Sequence, residues 1–173
     1  DFEKAYETKG TEHIAELLTA IRHELTLNIK YKSFVSDSIT EYVFHPYHLK
    51  EYRNRWYLVG LSENSNGIRT LCLDRFQSHP ERSLRVPFRR MPFDPKQYFE
   101  NVIGITVTNE EVQEIEVAFS EHQANYIFTQ PVHSSQEFIK TVDGKSIFRY
   151  RLIPNFEFIS FVLGLGKEAE VLS

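Results

Sequence analysis

The sequence predicts an α+β protein of two small units, and three observations support this prediction. Apolar residues near the N-terminus recur at helical spacing. Residues 25–86 then change to the two-residue alternation of strands, interrupted by Ser/Asn/Gly turns. After a proline-containing stretch at 87–112, residues 113–173 show a second mixture of strand and helix patterns. We therefore expect a linker at 1–10, a domain at 11–86, an inter-domain linker at 87–112 and a second domain at 113–173.

The first unit is expected to contain one helix and five short strands. The helix is predicted over residues 11–25, with Thr11 placed to cap its start. Pro46 should break or bend the second strand, because proline cannot donate to a sheet ladder. Five short strands within about 60 residues favour a small antiparallel β-barrel, because closure removes exposed strand edges. The strands are predicted at residues 25–31, 39–49, 55–62, 68–73 and 78–86.

The second unit has the predicted element order β-α-β-β-α-β, which is the ferredoxin-like pattern. Ser120 and Gln123 form a capping box that opens the first helix. Asp143-Gly144 is a strong signal for a two-residue hairpin turn. The predicted elements are a strand at 115–119, a helix to 128, strands at 136–142 and 145–153, a helix at 155–164 and a strand at 168–172.

Composition limits the class of protein. The 173 residues are 41% hydrophobic, so the chain can bury a core. It has no signal peptide and no apolar run of about 18 residues, so we expect a cytoplasmic protein without membrane contact. Cys72 is the only cysteine, which excludes a disulfide within the chain and fits a reducing compartment.

Positive charge is concentrated in one part of an acidic chain. The net charge is −4, yet residues 50–90 carry nine basic residues against four acidic ones. This stretch includes Arg55-Trp56-Tyr57 and, further along, Asp74-Arg75-Phe76. Arginines beside aromatic rings favour binding of phosphate, carboxylate or nucleic acid. The alternative is ordinary surface charge with a local excess.

Three motifs in this stretch resemble the WYL-domain family, which is named for Trp-Tyr-Leu. They lie at residues 46–52, 55–60 and 68–75, and they occur in the order and spacing of the family. Scattered motifs between residues 119 and 166 resemble the C-terminal extension that often follows WYL domains. Two positions depart from the family pattern. Cys72 stands where a basic or polar residue is frequent, and Phe76 replaces the more usual Ile.

The resemblance implies an Sm-like or SH3-like barrel that senses a ligand in a bacterial transcriptional regulator. The implied ligand is a nucleic acid, such as single-stranded DNA or RNA, or a small nucleotide. It would control a helix-turn-helix that binds promoter DNA and lies outside this chain. The alternative is a stand-alone WYL module that modulates a partner protein or enzyme.

Seven residues are candidates for ligand binding. Arg69 ranks above Arg75, and the two share one face if the strand alternation is extended over residues 68–76. On a straight strand the two would lie about 20 Å apart. Either the ligand is extended, such as an oligonucleotide, or one arginine is structural and held by a neighbouring acid. The full candidate set is Arg69, Tyr57, Arg55, Arg75, Tyr31, His48 and Lys50.

Other chemistry finds little support, so no metal, cofactor or catalytic activity is predicted. His45 and His48 are three apart on a strand, so they should point to opposite faces, and no third ligand accompanies them. His133 followed by two serines lacks a nucleophile elbow. The helix at 155–164 is apolar nearly all round, which predicts burial on both sides and a homodimer formed through the second unit.

Overall fold

The computed structural model describes residues 9–173, so most of the predicted linker at residues 1–10 lies outside the described part. The chain divides into two units between Phe93 and Asp94. Helices and antiparallel sheets occur in both units, which confirms the α+β class. No described helix is long and apolar enough to cross a membrane.

The first unit consists of one helix and a five-stranded antiparallel sheet with the strand order β4-β3-β2-β1-β5. A 3-10 turn, Thr11–His13, leads into the helix, and Thr11 lies inside this turn instead of at its cap. The elements are α1 (Ile14–Arg22), β1 (Leu27–Lys32), β2 (Ile39–Tyr52), β3 (Arg55–Ser62), β4 (Gly67–Cys72) and β5 (Glu81–Arg82).

The core of this unit lies between α1 and one face of the sheet. Alternate residues of β1 are buried, as the period of a half-buried strand requires. Leu17 and Ala20 of α1 face these residues at helical spacing. The remaining fully buried members of the cluster come from the neighbouring strands and from the turn after β4: Phe44, Leu58, Leu71 and Leu73.

The register of β2 shifts between Pro46 and His48, so the predicted break at this proline is a β-bulge. His45 pairs with Leu61, and His48 pairs with Val59. Directly paired residues share a face, and residues 59 and 61 lie on the same face of β3. The prediction that the two histidines point to opposite faces is therefore wrong, because the extra residue of the bulge reverses the alternation.

The predicted closed barrel is not observed among the described residues. Strands β4 and β5 end the pairing order, and no pairing between them is seen in this part of the chain. The chain nevertheless returns to β1 after β4, because Phe76 forms an isolated bridge with Tyr31. The Gln77 N–H also donates to the Lys30 carbonyl at 2.9 Å. The segment after β4 thus packs along the far side of β1.

The second unit contains a four-stranded antiparallel sheet with the order β7-β8-β6-β9. Asp143 and Gly144 have φ of 49° and 75°, which a two-residue hairpin turn requires. Ser120 and Asn155 cap α3 and α4 by accepting backbone N–H groups. The elements are α2 (Pro95–Phe99), β6 (Gln113–Ser120), α3 (Glu121–Thr129), β7 (Glu137–Val142), β8 (Lys145–Leu152), α4 (Phe156–Gly164) and β9 (Ala169–Val171).

Both α3 and α4 pack on one face of this sheet, because alternate residues of β6 and β8 share a single apolar cluster with them. Helix α4 is buried on one side only. Phe158 and Val162 are buried, whereas Phe156 and Leu163 are each 73% exposed. One side of α4 is therefore buried within this chain, and α4 and the nearby β9 present an apolar surface on the other side. Burial of that second side by a partner subunit stays a prediction.

The stretch 87–112, predicted as an inter-domain linker, is divided between the two units. In the first unit, the Arg89 N–H donates to Nδ1 of His45 at 3.1 Å. In the second, the buried Glu157 carboxylate accepts from the backbone N–H and the hydroxyl of Thr106, and Asn155 donates to the Thr106 carbonyl. These contacts hold both ends of the stretch against folded structure. The predicted domain limits remain predictions.

Candidate ligand-binding site

Strand β4 ends at Cys72, and a 3-10 turn at Leu73–Arg75 follows it. Leu73 is 1% exposed and joins the core, so the chain leaves the sheet at this point. The turn brings the Arg75 side chain beside Tyr31 of β1. The prediction that residues 69–75 form one straight strand is therefore wrong, so the geometry from which a separation of about 20 Å was inferred does not apply.

Asp74 lies between two arginines. Its Oδ2 is 3.7 Å from Nη1 of Arg55, and its Oδ1 is 3.8 Å from Nε of Arg75. The carboxylate is 17% exposed, and the Arg55 side chain is half exposed. Asp74 Oδ1 and Arg75 Nε are buried and have no hydrogen-bond partner in the described part of the chain. We call Tyr31, Arg55, Tyr57, Cys72, Asp74 and Arg75 the Asp74 cluster.

Two aromatic residues, Phe34 and Tyr31, contact the Arg75 guanidinium. Its carbon lies 4.0 Å from the centre of the exposed Phe34 ring, which is a close cation–π contact. Nη1 of Arg75 donates a long hydrogen bond of 3.5 Å to the Tyr31 hydroxyl oxygen. The Cys72 N–H donates to the same oxygen at 3.4 Å. Burial raises the pKa of Tyr31, although the nearby Arg75 opposes this rise.

Tyr57 and Cys72 are direct neighbours across β3 and β4. Burial raises the pKa of Tyr57 to about 12, and the adjacent thiol adds to the effect. Burial also raises the pKa of Cys72 to about 11, together with a hydrogen bond to Asp74. Both groups are therefore neutral near pH 7. The charged groups of the Asp74 cluster are two arginines and one carboxylate, so the cluster is net positive.

His48 and Lys50 extend the same face on β2. Lys50 pairs with Tyr57, and His48 pairs with Val59, so both side chains leave the sheet on the Tyr57 side. Burial lowers the pKa of His48, with a further contribution from Lys50, so this imidazole is mainly neutral at pH 7. Tyr31, Arg55, Tyr57 and Arg75 of the predicted set thus belong to the Asp74 cluster. Lys50 and His48 lie on the face of β2 that is shared with Tyr57.

Arg69 is the exception. It pairs with Gly60, and residue 60 points to the face opposite to residue 57. Its Nε donates to the Ser65 hydroxyl at 3.1 Å, and its side chain is exposed. The residue that ranks first in the sequence is therefore not part of the Asp74 cluster, although it lies on the same edge strand.

Sequence reasoning missed Asp74 and Phe34 as members of this site. Asp74 stands beside Arg75 in the motif, and an acid between two spatially adjacent arginines was a detectable signal once strands β3 and β4 were paired. Phe34 lies in the loop between β1 and β2, and nothing in its local sequence points to Arg75. Only the tertiary fold brings this ring and the guanidinium together.

The first unit is a helix packed on an antiparallel sheet with a cationic and aromatic cluster at one end. Residues 12–80 match the family model of the WYL domain. This match confirms the resemblance to the WYL domain that was seen in the sequence of the first unit.

The solved structures similar to this chain include two with the following alignments. A protein described as CRISPR Cas-related shares the fold, with 14% identity over 95% of this chain and 48% of that chain, at a TM-score of 0.56. Proteasome accessory factor B/C of Arthrobacter aurescens aligns with 18% identity over 99% of this chain and 26% of its own, at a TM-score of 0.43. The chain thus spans about a quarter to a half of these proteins. No curated protein matches it.

Proposed function

We propose that this protein is the ligand-sensing part of a bacterial transcriptional regulator and that its ligand is a nucleic acid or nucleotide-type anion. The proposal rests on the position of the Asp74 carboxylate between Arg55 and Arg75. The carboxylate is too far from either guanidinium to form a hydrogen bond with it. Two guanidinium groups and one acid leave a positive charge beside exposed aromatic surface. Phosphate oxygens are well matched to such a group because arginine can bind them through two donors at once.

Binding would replace weak internal contacts with stronger ones. The Arg75 Nε is a buried donor without a hydrogen-bond partner, and a buried donor gains when it acquires one. Arg55 is half exposed, so its guanidinium can turn from Asp74 to a phosphate at small cost. The Phe34 ring is 76% exposed and lies against Arg75, where a base could stack.

The length of the ligand decides whether Arg69 takes part. A mononucleotide or dinucleotide would be held by the Asp74 cluster, with Lys50 and His48 at its margin. A single-stranded oligonucleotide that follows the edge strand β4 would also meet Arg69. Both alternatives follow from the sequence, and substitution of Arg69 separates them.

We infer that signalling is allosteric. The ligand would favour one arrangement of a homodimer, and a helix-turn-helix outside this chain would respond to that preference. The apolar surface of α4 and β9 is the proposed dimer contact, because Phe156, Leu163 and Val171 are exposed there. The finer fold assignments are part of the same proposal: an Sm- or SH3-like arrangement of the five strands of the first unit, and a ferredoxin-like second unit.

The ligand proposal is tested by titrating the chain with fluorescent single-stranded DNA of several lengths, and with mono- and dinucleotides, at two salt concentrations. We expect binding that weakens with salt, and Arg55→Gln and Arg75→Gln should each weaken it about tenfold. Arg22→Gln removes the same charge from the end of α1 and serves as the control. Length-dependent binding that is weakened by Arg69→Gln indicates an extended ligand, whereas tight binding of a dinucleotide alone indicates a compact one.

Failure of every probe to bind would contradict the ligand proposal and favour the alternative, a WYL module that acts on a partner protein. Equal weakening by Arg22→Gln would contradict the assignment to the Asp74 cluster. The dimer is tested separately by sedimentation at tens of micromolar. Leu163→Lys should yield monomers, and Leu18→Lys on α1 is the matched control. A monomeric wild-type chain would refute the dimer contact.

A further inference from the structure

We propose that His13, Glu16 and His79 form a binding site for a divalent transition-metal ion, of which zinc is the best match. One ligand atom from each residue lies within 4.8 Å of those from the other two. His13 and Glu16 are close in sequence, whereas His79 comes from a distant segment, and the three meet at the start of α1. This site is separate from the Asp74 cluster and does not depend on the function proposed above.

The fold holds the two halves of this site together. His13 and Glu16 are three residues apart across the junction of the 3-10 turn and α1, so they lie on one side of the helix. His79 comes from the segment that follows Phe76. Gly10 has φ of 91°, and a Cβ there would stand 2.5 Å from the Leu73 backbone, so the chain before α1 lies tightly against the turn after β4.

His13 is the buried member of the group. It is 6% exposed, and its Nδ1 has no hydrogen-bond partner in the described part of the chain. Buried ring nitrogens normally have a partner, so this imidazole needs an explanation. Burial lowers the pKa of His13, against the opposing effect of Glu12. Neutral imidazole is the form that binds metal ions.

The other two ligands are exposed and adjustable. Nδ1 of His79 lies 3.6 Å from Oε2 of Glu16. In a tetrahedral zinc site with bonds near 2.1 Å, donor atoms stand about 3.4 Å apart. The side chains of Glu16 and His79 are 44% and 72% exposed, so small rotations can bring their donors onto an ion. The buried His13 would serve as the fixed ligand.

The donor set selects the class of ion. Two imidazoles and one carboxylate suit zinc, nickel, cobalt or copper, whereas magnesium and calcium prefer oxygen ligands alone. Three protein ligands leave a further position for water or for Glu12, whose Oε1 is 3.8 Å from Nε2 of His13. The competing interpretation is metal-free packing. The His13 ring is tilted against Phe76 at a centroid distance of 5.4 Å and lies edge-on to His79 at 4.8 Å.

Calorimetric titration of the 173-residue chain, free of any affinity tag, distinguishes these interpretations. With zinc chloride at pH 7.5 we expect one equivalent to bind, and His79→Gln and Glu16→Gln should each weaken binding at least tenfold. His122→Gln removes an exposed histidine of the second unit and should leave binding unchanged. Magnesium chloride should give no saturable heat.

A second measurement covers the buried ligand without altering it. Zinc should shift the imidazole nitrogen resonances of His13 in a nitrogen-15 NMR spectrum, while those of His122 remain in place. Absence of saturable zinc binding would overturn the proposal. So would unchanged affinity in His79→Gln, equal loss in His122→Gln, or zinc-bound spectra in which the His13 ring is unaffected.

Discussion

Two polar networks of the first unit contain similar residues but differ in how completely their hydrogen bonds are satisfied. In the first, His45 is fully buried and bonds to Glu63 at 2.8 Å, and Arg89 bonds to the same carboxylate at 2.7 and 2.9 Å. In the Asp74 cluster, both arginines stand 3.7 to 3.8 Å from the acid. The satisfied network fixes structure, whereas the unsatisfied one leaves donors available to a ligand.

The tautomer of His45 follows from its neighbours. The Arg89 N–H donates to Nδ1, which therefore accepts, and Nε2–H is left to donate to Glu63. The Thr26 hydroxyl oxygen lies 3.2 Å from the same Nδ1. Phe88 packs edge-on against the His45 ring, so the network holds residues 88–89 against the sheet. We call His45, Glu63 and Arg89 the His45 network.

Breaking the His45 network should give the largest effect on stability. His45→Ala leaves a cavity and removes a buried partner from Glu63 and from the Arg89 N–H, which we expect to cost about 3 kcal/mol. Urea denaturation followed by Trp56 fluorescence measures it, because the only tryptophan packs against the core of this unit. A loss of unfolding free energy below about 1 kcal/mol would show that the His45 network contributes little to stability.

Removal of the Asp74 charge should strengthen ligand binding. Asp74→Asn removes the negative charge between Arg55 and Arg75, so we expect single-stranded DNA to bind about three- to tenfold more tightly. The measurement is the fluorescence titration described for the ligand proposal. Glu41→Gln removes a charge of the same sign from β2 and is the control. Weaker binding by Asp74→Asn would show that the carboxylate positions the arginines for the ligand.

The pH dependence of stability should depend on Glu63. The hydrogen bond from His45 and then that from Arg89 hold its pKa below the ordinary value of 4.5. A depressed folded pKa contributes stability above the unfolded pKa, and this contribution is lost as the pH falls through the folded value. In Glu63→Gln, the first unit should therefore lose less stability between pH 7 and pH 3 than in the wild type. An unchanged pH profile would contradict the assignment.

The smallest expected effect is that of Arg55→Gln on stability. The Arg55 side chain is half exposed and its ion pair with Asp74 is long, so the loss should stay below about 0.5 kcal/mol. Urea denaturation with the Trp56 signal provides the measurement. Loss of ligand affinity without loss of stability would separate the role of the Asp74 cluster from that of the His45 network. A loss above about 1.5 kcal/mol would remove that distinction.

Local signals were enough to predict most elements of the fold. Strand alternation gave β1 and β3 within two residues, and Asp143-Gly144 located its hairpin because the turn chemistry is local. The turn after β4 was missed because Leu71, Leu73 and Arg75 continue the strand alternation. Burial of Leu73 and the bridge between Phe76 and Tyr31 redirect the chain there, and both are tertiary effects.

The sequence indicated which types of residue form the site, but not how they are arranged in space. Arginines beside aromatic residues indicated the correct stretch, yet Arg69 and Arg75 were assigned to one face because the strand was taken as continuous. The bulge at Pro46 likewise places His45 and His48 on the same face, where opposite faces were predicted. A single extra residue in a strand changes every later side-chain direction, and short-range alternation does not report it.

The His45 network also sets a minimum length for the autonomous folding unit. The family model ends at residue 80, yet Tyr47 donates to the Arg89 carbonyl at 2.7 Å and accepts from the Met91 N–H at 2.9 Å. A fragment cut at residue 80 would leave these polar groups without partners and would expose the aromatic face of β2. Such a fragment should be poorly soluble, whereas a fragment that ends after Phe93 keeps the residues that cover the aromatic face of β2.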